Sequence, residues 1–425
     1  MIVALCLPVI ALIVGGAVDF SRMLQLRMQM QDAVDLASVG SIAVNSPAFN
    51  QGLTASNGAV ITQGEIDAKR MFGSSMPSTN TDLANLQVNA NVTKANNRMS
   101  AVVTATADYN PYILDLIGFT DLPIEVSSTS QATFPPFIDF YLLLDNSPSM
   151  GVGATTPDIN AMVKATASNG SDPSCAFACH EDDKPGSDYY ALAKSLGVTT
   201  RIDVVRQATK DLMQTAKTTE TLNNQFRMAI YDFGLSANTI DPQTPDAYKI
   251  SDLTGDLVTS AANASAIDLM TIPAQNYNSD RQTNLGSMMK SMNGIIPANG
   301  DGSGPTSPQK VLFMVSDGAN DSYDCAYSNG STCRRITPID PADCDALKSR
   351  GVRIAVLYTT YLPLPTNAFY NQYLAKYVDD PSQLASQMQA CASPGLYFEV
   401  SPDQGISDAM SALFTKVVSV VKIDS

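Results

Sequence analysis

The sequence predicts an α/β protein with a mostly parallel central sheet, preceded by a long N-terminal membrane helix and a small β-rich or α+β module. Three observations predict it. Residues 1–18 form an apolar run without a single charge. Residues 46–136 contain segments that alternate apolar and polar side chains, the pattern of half-buried strands. Beyond residue 137, continuous apolar runs alternate with helical patterns, as in a parallel sheet covered on both faces. At 425 residues the chain is long enough for two or three domains of about 100–200 residues each.

Composition narrows the function. The chain has 41 acidic against 26 basic residues, a net charge of −15. That argues against nucleic acid, whose phosphates need clustered Lys and Arg. It equally disfavours an electrostatic grip on anionic lipid. With one histidine and no tryptophan, the composition nearly excludes His-rich metal sites, and any histidine catalysis would have to use His180. An apolar fraction of 44 % with dispersed charge argues against disorder.

The first element, MIVALCLPVIALIVGGAV, spans about 27 Å as a helix, just enough for a hydrocarbon core. A transmembrane helix, a cleaved signal peptide and a buried core helix all compete for it. Gly15 and Ala17 are spaced like a cleavage site, but a basic segment ahead of the run is missing. A chain that begins directly in its apolar run reads as one whose true start lies upstream. Residues 19–45 continue with good helix formers, and Phe20, Met23, Leu24, Met30, Val34 and Ala37 recur at three- and four-residue spacing. A transmembrane helix over 1–18 running into an amphipathic helix over 19–45 fits best. Gly16, Asp19, Arg22, Arg27, Gln31, Asp32 and Ala33, with Asp35, Leu36 and Ala37, resemble the N-terminal motif of TadE/TadG-like pilus-assembly proteins. The resemblance covers about 45 residues, and this chain lacks the basic segment that normally precedes the motif. It implies a single-pass protein of a bacterial inner membrane, with most of the chain in the periplasm or outside the cell.

In the next element, 46–136, LQVNANVT and RMSAVVTATADY read as strands joined by a turn at Asn96-Asn97. LDLIGF precedes a third alternating segment, which resembles the post-helix region of TadG-like proteins. Packing and assembly are the expected roles. Pro135-Pro136 marks the boundary to the last domain, 137–425.

That domain opens with IDFYLLLDNSPSM. Phe140 to Leu144 read as a strand buried on both faces, ending at Asp145, Ser147 and Ser149. An Asp-x-Ser-x-Ser at a strand's C-terminal end resembles the metal-ion-dependent adhesion site of von Willebrand factor A domains. Thr283, just before a helical pattern, and Asp317, directly after the apolar strand KVLFMVS, match the family motif in order and context. The fold this implies is Rossmann-like, with the site beyond the strand C-termini. The resemblance also implies that Ser147, Ser149 and Thr283 coordinate Mg²⁺ (or Mn²⁺ or Ca²⁺) directly, while Asp145 and Asp317 act through water. Mg²⁺ takes about six oxygens near 2.1 Å and keeps several waters. Hydroxyls with few carboxylates leave its charge unsaturated, open to a carboxylate from a protein partner. RIDVVRQATKDLMQTA, PADCDALKSRG and ISDAMSALFTKVVSVV read as helices; FRMAIYDFG, VRIAVLYTTY and LYFEV read as strands. Insertions near 151–198 and 319–338 lengthen the domain beside the site.

Cys6 lies in the apolar run. Cys175, Cys179, Cys325, Cys333, Cys344 and Cys391 lie in polar sequence, and an even number there favours disulfides and an oxidising compartment. Six cysteines allow 15 pairings, and proximity favours Cys175–Cys179 and Cys325–Cys333, leaving Cys344–Cys391. CAFACHEDD could suggest zinc through Cys175, Cys179 and His180, but a second ligand pair is missing, so a disulfide or exposed loop is the simpler reading, with Glu181 to Asp183 a solvated acidic run. No nucleophile–base set or phosphate-binding glycine loop is present. The sequence thus reads as a non-enzymatic Tad/Flp pilus-assembly protein that binds a protein partner through a metal. A cell-surface adhesin is the alternative, and a zinc-dependent hydrolase ranks below both.

Overall fold

A computed structural model describes residues 2–76, 82–95, 97–169, 173–181, 188–237, 239, 245–274, 283–324, 333–365, 367–378, 382–401 and 405–424, the side chains of 2–9 and 420–424 excepted. The chain divides into two units, Met1–Phe134 and Pro135–Ser425.

In the first unit a single helix, α1 (Ile2–Ser41), runs 40 residues, about 60 Å. Its C-terminal half buries Leu26, Met30, Ala33, Val34 and Ala37, one stripe at helical spacing. Helices α2 (Pro47–Thr54) and α3 (Thr62–Ser75) follow. Ser46 caps α2 by accepting the Phe49 N–H at 3.0 Å, with Pro47 in the first turn. Strands β1 (Leu83–Ala95), β2 (Arg98–Tyr109) and β3 (Leu122–Thr133) form an antiparallel sheet in that order. Ala95 pairs with Arg98, so the turn falls at the expected Asn96-Asn97 dipeptide, of which Asn96 is outside the described residues. Alternation along β2 aims Val103, Ala105, Ala107 and Tyr109 at the stripe of α1 and at Phe72 of α3. The segment after the long helix is therefore α+β, and the amphipathic half of α1 is part of its core.

The N-terminal half of α1 is different: Ile10, Ile13, Val14, Val18 and Phe20 are all more than half exposed. Among the described residues no helix is long and apolar enough to cross a membrane. The expected span 1–18 falls only partly within them, because the side chains of 1–9 lie outside. Just past the run, buried Asp19 accepts hydrogen bonds from the backbone N–H groups of Tyr112 (3.1 Å), Ile113 (2.8 Å) and Leu114 (2.9 Å). These donors open a single 3₁₀ turn, Leu114–Ile117, and would otherwise lack partners. Ile113 and Leu114 lie over Gly15 and Gly16, where a Cβ on Gly15 would collide with Ile113.

In the second unit the elements are β4 (Ile138–Leu144), α4 (Thr156–Ala165), β5 (His180–Glu181), α5 (Tyr189–Ser195), α6 (Arg201–Thr219), β6 (Phe226–Asp232), β7 (Tyr248–Thr254), α7 (Leu257–Asn263), β8 (Thr271–Ile272) and α8 (Leu285–Ile295). Then come β9 (Gln309–Ser316), β10 (Ala319–Tyr323), β11 (Arg334–Pro338), α9 (Asp345–Ser349), β12 (Arg353–Thr359), α10 (Ala375–Val378), α11 (Gln383–Cys391), β13 (Tyr397–Val400) and α12 (Ile406–Asp424). The main sheet has the order β13-β12-β9-β4-β6-β7, parallel throughout except for the antiparallel edge pair β6–β7. This is the predicted α/β architecture with a mostly parallel sheet. All seven residues of β4 are buried. Phe140, Leu142 and Leu144 face a core with Val205, Leu212 and Phe414; Tyr141 and Leu143 face the other with Met288, Leu347 and Leu384. The 319–338 insertion contains the β10–β11 hairpin, and the 151–198 insertion contains α4, β5 and α5. Where PADCDALKSRG predicts one helix, a 3₁₀ turn at Pro341–Cys344 leads into α9, and Gly351 closes it at φ +77°.

Cys344 and Cys391 form a disulfide with Cα atoms 5.5 Å apart, tying the start of α9 to the end of α11. Cys333 is disulfide-bonded, and Cys325 lies outside the described residues. Cys175–Cys179 is a correction: both are buried thiols. The reason is the sheet. Cys175 belongs to the core on one face and Cys179 to the core on the other, and the Cys175 thiol is turned onto the backbone of Phe177. Glu181 is likewise buried rather than solvated. The Cys344–Cys391 link closes a 47-residue separation, which by chain entropy contributes about 4 kcal/mol. A Cys344→Ser/Cys391→Ser chain should lose most of that in urea unfolding; a loss below about 1 kcal/mol would show the link to be dispensable.

Candidate metal centre

The sheet delivers two carboxylates to one place. β4 and β9 are adjacent and parallel, so their C-terminal ends open side by side, and Asp145 and Asp317 are the first residues beyond them. The Asp145 N–H donates to Val315 O at 2.9 Å, keeping the two chain exits in register. Both carboxylates are fully buried. Asp145 Oδ1 accepts from the Ser147 N–H (3.0 Å) and the Ser147 hydroxyl (2.6 Å), and Oδ2 accepts from the Ser316 hydroxyl (2.7 Å). This turn brings Ser147 Oγ to 3.2 Å from Ser149 Oγ. Ser149, half-buried in the 3₁₀ turn Pro148–Gly151, lies near enough to Asp317 to oppose the rise of its carboxyl pKa. Asp317 also accepts the Ala319 N–H at 3.1 Å. The chain leaves through Gly318 at φ +72°, where a Cβ would meet Met388 Cγ at 2.7 Å.

Thr283 stands just ahead of Asn284, the N-cap of α8, and is held by a reciprocal backbone pair with Asp321 (3.1 and 2.8 Å). With Ser149 it lines a cavity of about 90 Å³, walled by Tyr361, Arg334, Phe369 and Leu374 among others. Asp145, Ser147, Ser149 and Asp317 thus form one chain of contacts, and Thr283 joins it across the cavity.

Burial pushes the Asp145 carboxyl above the usual carboxylate range, against the hydrogen bonds from Ser147 and Ser316. Asp317 is pushed up to about 7, first by burial and then by the charge of Asp145, with Arg201 opposing both. Arg201 is the residue that sequence reasoning missed. Its side chain is entirely buried at the first position of α6. It donates to Asp317 Oδ2 (3.4 Å) and to Thr360 O (3.1 Å), and its guanidinium lies 4.6 Å from the centre of the Tyr361 ring. A cation in a helix's first turn opposes the helix dipole, and that conflict was the signal available in the sequence. Asn146 was also missed. Its amide donates to Gly234 O (2.8 Å) and Asp232 (3.3 Å) and accepts from the Phe233 N–H (3.0 Å), which locks the β4 exit to the β6 exit. Burial pushes Asp232 up to about 7.

The donor set fits a hard divalent cation. Carboxylate and hydroxyl oxygens converge, and two buried carboxylates beside each other are costly without positive charge. Arg201 supplies only part of it. Buried Tyr361 Oη, on the cavity, and Arg201 Nε have no hydrogen-bond partner among the described residues. Among those residues no group of three or more His, Cys, Asp or Glu could hold an ion, so any metal here depends on the hydroxyls. Cys175 and Cys179 face opposite cores, and His180 Nδ1 lies 3.2 Å from Leu269 O. The zinc grouping considered from the sequence therefore does not converge.

Residues 1–41 match a family model described as "Tad: Putative Flp pilus-assembly TadE/G-like". No curated protein matches the chain. Among solved structures, the von Willebrand factor domain of the type V pili tip protein Mfa5 from Porphyromonas gingivalis is similar at 10 % identity and a TM-score of 0.37, over 69 % of this chain and 97 % of that one. Proximal thread matrix protein 1 from the mussel byssus, with a zinc-occupied MIDAS motif, is similar at 15 % identity and a TM-score of 0.34. That match covers 68 % of this chain and 46 % of the mussel chain.

Proposed function

We propose that this chain is a membrane-anchored envelope protein of Tad/Flp-type pilus assembly that holds a protein partner through a divalent cation, Mg²⁺ first among the candidates. The observation that carries the binding half is the pair of buried carboxylates, Asp145 and Asp317, in contact with seryl hydroxyls at the ends of adjacent parallel strands. Ser147, Ser149 and Thr283 would hold the ion directly, and Asp145 and Asp317 through water. When bound, the ion supplies an electrophilic centre able to take a carboxylate from the partner. The protein's own contribution is to keep the carboxylates dry, to orient Ser147 through Asp145, and to leave Ser149 and Thr283 on an open cavity. The assembly half rests on the TadE/G-like match of residues 1–41. The Cys344–Cys391 disulfide supports an oxidising compartment, with the bulk of the chain periplasmic or extracellular. The TadE/G-like match favours a binding role over catalysis.

Crosslinking and pull-down of the full chain from membranes, with Mg²⁺ or with EDTA, tests this. A metal-held partner should be captured with Mg²⁺, vanish with EDTA, and be absent from the Asp145→Asn chain. Equal capture in all three arms would overturn the reading.

A further inference from the structure

We propose that the loop Tyr112–Phe119 is a second membrane contact, docked on α1 so that Leu116, Ile117 and Phe119 enter the boundary between headgroups and acyl chains of a lipid bilayer. The inference rests on the reading of residues 1–18 as an anchor. Leu116 is 77 % exposed, Phe119 55 % and Ile117 50 %, and Tyr112 at the other end of the loop is 58 % exposed. Four large exposed side chains within eight residues of one loop call for a cover.

Position identifies the cover. Ile113 and Leu114 pack on Gly15 and Gly16, inside the apolar run and about 5 Å short of its end at Val18. Whatever medium surrounds the exposed Ile13, Val14 and Val18 also meets the loop. Hydrogen bonding agrees. The N–H groups of Tyr112, Ile113 and Leu114 are taken by Asp19, that of Leu116 by Ile113 O (3.2 Å), that of Gly118 by Asp115 O (3.0 Å) and that of Phe119 by Leu114 O (3.1 Å). A loop with these six of its eight amides bonded inward and Leu116, Ile117 and Phe119 exposed suits a medium that offers few hydrogen bonds. The one charge within it, Asp115, is exposed and sets an interfacial rather than a deep position. Tyr112, with the Arg22 guanidinium 5.4 Å over its ring, and Phe119 are aromatic residues of the kind that favours the interface. The loop has no Lys or Arg, so its contact is apolar and does not depend on anionic lipid.

The chain has no tryptophan, which makes a single introduced indole a clean depth probe. Three full-length chains, Phe119→Trp, Val14→Trp and Val60→Trp, are reconstituted in phosphatidylcholine vesicles with brominated acyl chains. Val60 pairs with Thr93 near the β1–β2 turn, about 30 Å along the sheet from Tyr109, and serves as the remote control. Strong quenching at 14 and 119 with none at 60, unchanged by 0.5 M salt, is the expected result. Quenching at 14 but not at 119 overturns the loop contact and leaves the anchor standing. An indole at 119 that is blue-shifted yet unquenched means a protein covers the loop, and also overturns it. No quenching at either position removes the anchor reading and the inference with it.

Discussion

Asp145→Asn is expected to lower Mg²⁺ affinity at least a hundredfold, about 2.8 kcal/mol, as read by titration calorimetry. Asparagine is a cleaner probe than alanine because of what Asp145 holds. Its two oxygens accept from the Ser147 N–H and hydroxyl and from the Ser316 hydroxyl. Alanine would leave all three buried donors without an acceptor, at about 1–3 kcal/mol each, partly offset by removing a buried charge. Asparagine keeps one acceptor oxygen and much of the turn. Unchanged affinity in a folded Asp145→Asn chain would sink the assignment of the centre. The wild-type chain should also show a pH dependence of definite sign. The negative charge of Asp145 and Asp317 would favour the ion through water, and Asp317 is pushed up to about 7, so protons oppose the ion and affinity should fall as the pH drops below about 7.

The second large effect concerns Arg201. Arg201→Met keeps an unbranched side chain over Tyr361 but removes the guanidinium that faces Asp317. In chelator, the variant should lose about 3–5 kcal/mol of stability, the usual consequence of leaving a buried charge without its partner. Saturating Mg²⁺ should return a large part of that loss, since the ion compensates the same carboxylates. Urea unfolding at pH 7.5 with EDTA or Mg²⁺ measures both quantities. A loss under 1 kcal/mol in EDTA would mean that the carboxylates are compensated by other means. A loss that Mg²⁺ does not diminish would mean that Arg201 and the ion act at separate places.

Much of the second unit was legible because burial on both faces leaves a plain trace. IDFYLLL, KVLFMVS and VRIAVLY are apolar without alternation, and each is a strand of the parallel sheet. Asp145 and Asp317 could be placed because residues directly after such strands emerge at one end of the sheet. Thr283 was expected from its match to the family motif ahead of a helical pattern, and it lines the same cavity as Ser149. What stayed hidden depended on partners far away in sequence. Arg201 looks like any cation on an amphipathic helix until Asp317 arrives 116 residues later. Asp19 looks like the polar end of an apolar run, yet its donors lie 93–95 residues further on. Cys175 and Cys179 failed in the opposite way. They are close in sequence, but the chain between them passes from one face of the sheet to the other.

The hydrogen bond from Ser316 to Asp145 joins residues 171 apart, with β6 and several helices intervening in the chain. Closing so long a loop is entropically unfavourable until the strands between are in place, so this contact belongs to the last stages of assembly. A chain made from its N-terminus exposes the Asp-x-Ser-x-Ser turn long before β9 exists to complete it. The Ser316–Asp145 contact is therefore delayed until nearly three quarters of these 425 residues have been made, so the turn is completed late.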